Sequence, residues 1–399
     1  MRQFVLGTLV VALFTAGAAA EGEQWLQYRS SADPSARDAS GGYAQLELVS
    51  PLPADLVLPK LVSDKPILAR WKTPMAPAGF LWVLLDQSKK GGAYDRLFMD
   101  TSANGKLGDK SAIAADLGDT GRTGFGPIKI TFPGADGPVT YHLSIYNFTY
   151  SGSQVRLYAQ AACWYEGQVN VGGHMRRCLL VDSNTDGAFD KPGMIDDPDV
   201  VCLDGGQDGK QLAQHYVGKY LQLDGKLYDL EVPREGGWVK FTPDAQVPMA
   251  SVRLPKGTAA VRLVGAMGQF IFEAPDESGL VRVPAGTKYQ FESWTYTRKD
   301  EAGKLWTLLG RGTPPEKAFD LSADKEWAAP IGEPLTAALN VVTKNKEHTI
   351  SLQLTDRLGD QSVNVMRGGG ENGGGQATIK LQITNAAGDY HKVLTFEYG

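Results

Sequence analysis

The residues best suited to chemistry lie in one short stretch, 182–190, which reads Asp-Ser-Asn-Thr-Asp-Gly-Ala-Phe-Asp. Oxygen-bearing side chains stand at its first, third, fifth and ninth places, and a glycine stands at the sixth. This is the spacing of the front half of a calcium loop, in which alternate side chains turn inward and the glycine allows a sharp bend. The predicted Ca²⁺ ligands are the side chains of Asp182, Asn184, Asp186 and Asp190 and the backbone carbonyl of Ala188.

A looser copy of the motif follows at 204–210, where Asp204 and Asp208 stand in ligand places. We expect these two carboxylates to join the first loop if both loops share one ion. A third copy, at 100–107, offers a single carboxylate, Asp100. With so little charge, an ordinary turn rich in Asp, Asn and Gly is favoured there.

The first loop departs from a complete calcium loop at its twelfth place. A hard cation takes six to eight oxygens, including a bidentate carboxylate at that position. Here the twelfth residue is Gly193, which supplies none. Three acids follow closely and could bend back to serve instead: Asp196, Asp197 and Asp199. A plain turn without an ion remains the alternative for this loop, because Asp, Asn and Gly favour turns by themselves.

Other chemistries find little support in the sequence. The five histidines are scattered and form no pair with zinc-ligand spacing. No nucleophile elbow, phosphate-binding loop or dinucleotide glycine cluster is present. The formal net charge of −5 gives no reason to expect a nucleic-acid partner.

The first twenty residues have the pattern of a secretory signal peptide. Arg2 supplies a positive charge, residues 4–14 form an apolar run, and three alanines at 18–20 precede Glu21. We expect cleavage near Ala20 and a mature protein that is secreted, periplasmic or at the cell surface. No other run approaches the roughly 20 apolar residues that a membrane span needs, so none is expected after the signal is removed.

An exported protein can keep disulfides, and the chain has three cysteines, Cys163, Cys178 and Cys202. A hairpin turning at Gly172 and Gly173 would place Cys178 opposite residue 167. Cys163 would then lie roughly 13 Å further along the strand, beyond disulfide reach. Cys202 is therefore the better partner for either of the others, with three buried free thiols as the alternative.

The elements around these residues are predicted to be strands. Alternating apolar residues at 43–49, 139–145, 220–228 and 281–291, with a buried run at 80–85, are separated by turn signals, and no stretch shows helical periodicity with caps. We expect an all-β protein of several β-sandwich domains in series, with Asp/Gly-rich ion-binding loops. The predicted units are a signal peptide at 1–20, a flexible leader at 21–42 and β domains at 43–150, 151–245, 246–330 and 331–399.

An internal repeat connects two of the oxygen-rich loops. Residues 97–100, Leu-Phe-Met-Asp, align with 179–182, Leu-Leu-Val-Asp, at an offset of 82. The alignment predicts that a strand followed by an Asp loop occurs twice in the chain.

The stretch at 179–187 resembles the EF-hand-like loops that occur without flanking helices in bacterial extracellular proteins, dockerins among them. Residues 94–107 and 221–230 look similar to stretches of uncharacterised secreted proteins of environmental bacteria. Residues 283–289, Val-Pro-Ala-Gly-Thr-Lys-Tyr, resemble a turn of transthyretin-like and carboxypeptidase-regulatory-type sandwiches. The dockerin duplication and its helices are absent, so the resemblance implies ion binding and Ig-like or transthyretin-like sandwiches, without cellulosome attachment.

Together these features predict an exported, non-catalytic β protein whose middle domain is stabilised by calcium. Its partner would be an extracellular polysaccharide or a cell-envelope protein. Two alternatives remain: an extracellular hydrolase that uses paired carboxylates as glycosidases do, and a carbohydrate-binding module with coplanar aromatic rings on one sheet face.

Overall fold

The regular secondary structure of the described residues is almost entirely β-strand, which confirms the expected all-β class. A computed structural model describes residues 22–33, 41–108, 110–117, 123–135, 137–149, 155–192, 198–204, 212–273, 275–312, 315–323, 325–345, 347–359, 363–367 and 375–396. The predicted signal peptide lies outside the described residues. Within the ranges just given, no helix is long and apolar enough to cross a membrane.

The first nineteen strands run from residue 24 to residue 243. They are β1 Gln24–Trp25, β2 Gln27–Ser30, β3 Tyr43–Gln45, β4 Glu47–Val49, β5 Ile67–Lys72, β6 Phe80–Asp86, β7 Arg96–Met99, β8 Ile113–Ala114, β9 Asp116–Leu117, β10 Thr123–Phe132, β11 Val139–Thr149, β12 Val155–Ala161, β13 Cys163–Val171, β14 His174–Val181, β15 Val200–Asp204, β16 Leu212–Tyr216, β17 Tyr220–Leu223, β18 Lys226–Glu231 and β19 Trp238–Pro243.

Fourteen further strands follow, with one short 3-10 helix at Pro315–Lys317. They are β20 Met249–Arg253, β21 Thr258–Gly265, β22 Gly268–Glu273, β23 Leu280–Pro284, β24 Thr287–Lys299, β25 Leu305–Arg311, β26 Phe319–Leu321, β27 Glu326–Ala328, β28 Thr336–Lys344, β29 Glu347–Thr355, β30 Asn364–Arg367, β31 Gly375–Gln376, β32 Lys380–Thr384 and β33 His391–Thr395.

Four sheets enclose the first core. Their strand orders are β4-β5-β6-β7-β8, β3-β12-β11-β10-β9, β2-β13-β14-β15-β16 and β1-β19-β18-β17. One continuous buried cluster draws apolar residues from Leu26 to Phe241. The predicted units 43–150 and 151–245 therefore contribute to the same core.

Strand β6 shows how sequence alternation builds this core. Its apolar run is buried on both faces because side chains of a strand point alternately to opposite sides. Leu81, Val83 and Leu85 enter the first core, whereas Trp82 and Leu84 enter a smaller cluster on the other face. A run that is apolar at every position thus serves two layers at once.

The second core spans residues 220–363 and lies mainly between the sheet β23-β20-β27 and the larger sheet β22-β21-β24-β25-β30-β31, to which β26 adds by pairing with β24. The predicted boundary near Ala245 falls in the loop between β19 and β20, where the strands of one core give way to those of the other. Two hairpins, β28-β29 and β32-β33, form separate two-stranded sheets.

The segment 21–42, expected to be a flexible leader, contributes two strands. β1 pairs with β19 and β2 pairs with β13, and Leu26 between them is buried in the first core. The strand partners lie so far away in sequence that the short segment shows no hairpin pattern of its own. Residues 34–40 of the predicted leader lie outside the described ranges.

The predicted hairpin at Gly172 and Gly173 is confirmed, with residue 167 opposite Cys178. All three cysteines are buried free thiols. The reason for the missing bridge is the alternation of side chains: Cys178 faces the first core, while Cys202, on the neighbouring strand β15, faces a separate cluster on the other side of the sheet. The expected pairing through Cys202 is therefore wrong in this structure.

Candidate metal site

The loop at 182–190 starts directly after β14 and begins with a completely buried carboxylate, that of Asp182. One of its oxygens, Oδ2, accepts hydrogen bonds from the hydroxyl of Tyr141 and the backbone N–H of Gly187, both at 2.7 Å. The other, Oδ1, accepts the backbone N–H of Asp186 at 3.2 Å. Asp182 thus closes the turn of its own loop and ties it to β11.

The next two predicted ligands, Asn184 and Asp186, also fold onto the backbone of the loop. The amide oxygen of Asn184 accepts the N–H of Asp186 at 2.8 Å, and Asp186 Oδ1 accepts the N–H of Ala188 at 2.9 Å. Thr185 and Gly187 have positive φ, at 58° and 89°. This conformation favours glycine, and at Gly187 an added Cβ would come within 3.0 Å of Thr73.

Hydrogen bonds of Thr185 and Phe189 also fasten the loop to its surroundings. The indole N–H of Trp71 donates to the carbonyl of Thr185 at 2.7 Å, and the hydroxyl of Thr185 donates to the carbonyl of Gly42 at 2.8 Å. Phe189 is buried in the first core and donates its N–H to the carbonyl of Arg234. A loop held by buried side chains at both ends keeps its shape without depending on solvent contacts.

A second buried carboxylate, Asp199, approaches the loop from the residue just before β15. It accepts hydrogen bonds from the N–H of Ser183 at 3.3 Å and from the N–H of Lys191 at 2.8 Å. It therefore bridges the start and the end of the loop. Asp199 is one of the three acids that the sequence offered in place of the missing twelfth ligand, and the other two, at 196 and 197, lie outside the described residues.

Burial and mutual repulsion disfavour the ionised forms of the three carboxylates, Asp182, Asp186 and Asp199. Burial, followed by the neighbouring charge of Asp186, raises the pKa of Asp182 above its ordinary value, and burial together with the charge of Asp182 raises the pKa of Asp199. Burial also raises the pKa of Asp186, although Lys191 partly opposes this. Within the described part of the chain, none of the three carboxylates forms an ion pair.

The other predicted ligands are spread more widely. The carbonyl-bearing residue Ala188 is buried in the loop, whereas the Asp190 carboxylate lies 3.6 Å from the guanidinium of Arg234. Val200, the first residue of β15, pairs with Val181, the residue before Asp182. Asp204 is the last residue of β15, four residues beyond Val200. That separation is roughly 13 Å along the strand. Asp208 lies outside the described residues.

In the ranges that the structure describes, no three acidic, histidine or cysteine side chains are arranged so that they could hold a metal ion as they stand. The acidic oxygens of the 182–190 loop point instead toward backbone N–H groups. A carboxylate has about four acceptor sites. Asp199 accepts two hydrogen bonds, from Ser183 and Lys191, and Asp186 accepts from Ala188 and Asn184. Asp182 accepts from Tyr141, Asp186 and Gly187 and interacts with the N–H of Thr185 as well. Acceptor capacity therefore remains on Asp186 and Asp199.

The loop at 100–107 has the same turn as the loop at 182–190. Asp100 accepts the N–H of Asn104 at 3.1 Å and of Gly105 at 2.6 Å, the fourth and fifth residues on, as Asp182 does with Asp186 and Gly187. The Asn104 side chain accepts the N–H of Lys106. Ala103 and Gly105 have positive φ, as Thr185 and Gly187 do. These contacts confirm the internal repeat at an offset of 82.

Sequence reasoning missed one member of the buried group, Tyr141. It looked like an ordinary residue of an alternating strand, and it is buried in the first core as that pattern predicts. Its hydroxyl donates to Asp182 across strands that are remote in sequence. The only available signal was a hydroxyl-bearing ring at a position that alternation assigns to the core, where such a hydroxyl needs a partner.

A cysteine and a histidine also lie together, but they do not form a nucleophilic pair. His142 contributes its backbone N–H to the Cys163 sulfur at 3.4 Å, while its ring Nδ1 lies 2.6 Å from the hydroxyl of Tyr28. Burial raises the pKa of the Cys163 thiol to about 12, so the thiolate is scarce at neutral pH.

No protein-family model, no curated protein and no solved structure matches this chain.

Proposed function

We propose that the chain is an exported, non-catalytic β protein whose 182–190 loop binds a structural calcium ion, and that it works by interaction at or outside the cell surface. The signal-like N-terminus supports export. The Asp-x-Asn-x-Asp-Gly spacing supports Ca²⁺ as the ion, because calcium takes oxygen ligands at alternate places of such a loop.

One observation carries the calcium proposal. Asp182 and Asp199 are buried carboxylates and Asp186 is half-buried beside them, and none of the three forms an ion pair with a described residue, although the charge of Lys191 lowers the pKa of Asp186. Buried charge is costly unless it is paired or bound to metal. A divalent cation would favour the ionised form of all three acids and use the acceptor sites that remain on Asp186 and Asp199.

The role of the ion would be to stabilise the first core. The loop joins the end of β14 to the start of β15, and it contacts β11 through Tyr141 and β5 through Trp71. An ion at its centre would therefore hold together strands of three sheets. Small rotations of the Asp182 and Asp186 side chains toward each other would be needed, since their oxygens now face backbone donors.

Thermal unfolding with and without Ca²⁺ tests the proposal. Ligand at ten times its dissociation constant stabilises by about 1.4 kcal/mol, which should raise Tm by about 3–6 °C for a core of this size. The purified chain would be stripped with chelator and then titrated with Ca²⁺. Mg²⁺ is the matched ion, and it should act more weakly because it demands near-octahedral geometry and loses its water reluctantly. An unchanged Tm at saturating Ca²⁺ would refute the proposal.

A further inference from the structure

An open cleft of about 700 Å³ lies beside the 182–190 loop, between the loop and the strands β3, β4, β5 and β6. The side chains that give the cleft its chemistry are Tyr43, Glu47, Arg70, Lys72, Asp186 and Lys191. A concave site of this size, with a few polar groups converging on it, is the usual form of a small-ligand site.

Positive charge exceeds negative charge along the walls. Lys72 lies 3.0 Å and Arg70 3.8 Å from the single carboxylate of Glu47. Lys191 is exposed and makes no ion pair with a described residue; its charge lowers the pKa of Asp186, and its ammonium can contact a ligand as well. Asp186 is the other acid of the cleft, and it is the group that the proposed calcium ion would neutralise.

One wall carries an exposed aromatic ring. The side chain of Tyr43 is 54% exposed, although its ring is held edge-on by Tyr146 at a centroid distance of 5.8 Å. Elsewhere in the lining, Arg70 lies 4.7 Å above the ring of Phe80. An exposed ring whose orientation is fixed by a neighbour offers a flat apolar face at little entropic cost.

The proposed ion would add to this chemistry. Asn184 and Asp186, two of its ligands, line the cleft. Calcium takes six to eight oxygens, and the loop lacks the carboxylate usual at the twelfth place. Ligand oxygens arriving through the cleft could complete the coordination, and the ion would make the cleft more attractive to an anion.

We propose that this cleft binds an acidic saccharide, a sugar ring that carries a carboxylate. The ring packs on Tyr43, and the carboxylate is held by Lys191 and Lys72 beside the ion. The dependence on the ion rests on the calcium function proposed above, whereas the stacking and the lysine contacts do not.

Calorimetric titration of the full mature chain with trigalacturonate, at fixed saturating Ca²⁺, tests the proposal. The methyl ester of the same trisaccharide is the matched ligand, because it keeps the rings and loses the charge. We expect the ester to bind about tenfold more weakly. Tyr43→Ala should weaken trigalacturonate binding by about threefold to tenfold and Lys191→Gln by up to about fivefold.

Two substitutions serve as controls. Tyr390→Ala removes a tyrosine of similar exposure, and Lys226→Gln removes an exposed lysine, both far from the cleft in sequence and absent from its lining. Neither should change the affinity. Equal binding of acid and ester, no binding of either, or affinities unaffected by Tyr43→Ala and Lys191→Gln would overturn the proposal.

Calcium melting shifts measured on the same samples separate the two proposals. A Tm shift without trigalacturonate binding overturns the saccharide site and leaves the calcium function intact. Binding that depends on Tyr43 and Lys191 but not on Ca²⁺ supports the saccharide site and, together with an unchanged Tm, refutes the calcium function.

Discussion

The loops at 100–107 and 182–190 share one backbone and differ in charge. In each, an aspartate accepts the N–H groups of the fourth and fifth residues after it, and a glycine with positive φ completes the turn. In the first loop the fifth place is Asn104, and the end of the loop, Leu107, packs in a small cluster with Trp82 and Phe98. In the second loop the fifth place is Asp186, and Asp199 approaches from outside the loop.

This difference separates the residues of the motif that form the turn from those that would bind an ion. The turn depends on one aspartate and one glycine, because these supply the acceptors and the backbone conformation. The ion depends on additional carboxylates, which the turn does not require. A loop can therefore keep the shape of a calcium loop and bind nothing, and the pair provides an internal control for every experiment on the second loop.

The largest expected effect distinguishes the two first-place aspartates. Asp182→Ala leaves three donors without their acceptor, those of Tyr141, Asp186 and Gly187, and should lower the free energy of unfolding by about 3–4 kcal/mol. Asp100→Ala removes the acceptor of two donors and should cost about 2 kcal/mol. Denaturant titration in chelator measures both losses.

The same two variants should respond differently to calcium. Asp182→Ala should abolish the rise in Tm, while Asp100→Ala should retain the full rise from its lower starting value. An Asp182→Ala protein that is still stabilised by Ca²⁺ as strongly as the parent would show that the ion binds elsewhere.

A smaller difference in stability is expected between alanine variants of Gly105 and Gly187, the glycines that complete the two turns. Alanine at either position takes an unfavourable positive φ, which costs about 1–2 kcal/mol. At Gly105 nothing lies within 4 Å of the added Cβ, whereas at Gly187 Thr73 and Trp71 lie within 3.0 and 3.2 Å. We therefore expect Gly187→Ala to be about 1 kcal/mol more destabilising than Gly105→Ala in thermal unfolding. Equal losses of stability in the two variants would mean that Thr73 and Trp71 move aside without cost to accommodate the added methyl group.

A dependence on pH is also expected in the calcium-free protein. The unfolded chain loses the protons of Asp182 and Asp199 near their ordinary pKa of 3.8, while burial raises the pKa of Asp182 to about 7 in the folded chain and that of Asp199 above its ordinary value as well. The folded state therefore holds more protons, and its stability should fall by about 2 kcal/mol as pH rises from about 4 to about 7. Unfolding in chelator across this range measures the slope.

Two additions sharpen the pH experiment. Asp199→Asn should flatten the slope because it removes one of the interacting charges. Saturating Ca²⁺ should remove or reverse the slope, because the ion binds the ionised carboxylates. A slope of the opposite sign in chelator would contradict the account of Asp182 and Asp199 as uncompensated buried acids.

Local patterns in the sequence predicted the elements and one register well. The apolar run of β6, the hairpin that places Cys178 opposite residue 167, and the repeat of an Asp loop after 82 residues all follow from alternation and turn residues. Each depends on residues that are neighbours in the chain or across one short turn. Side-chain alternation along a strand and the turn residues of a hairpin determine how such neighbours are placed.

Contacts between strands that are remote in sequence could not be predicted from the sequence. The approach of Tyr141 to Asp182 and the pairing of β2 with β13 depend on how sheets pack, which no local pattern encodes. The position of Asp204 is a similar case, since it is set by the antiparallel register of β14 and β15. Knowing which strands pair would have placed it away from the first loop.

The pairing of the first two strands has a consequence for how the molecule is made. Trp25 pairs with Trp238 and Ser30 with Cys163, so in a chain that leaves the ribosome N-terminus first, β2 has no partner until residue 163 has emerged and β1 has none until residue 238. Contacts this distant in sequence slow folding, and open strand edges invite association with other chains. The first core can close only after these late strands are present, because its buried cluster runs from Leu26 to Phe241.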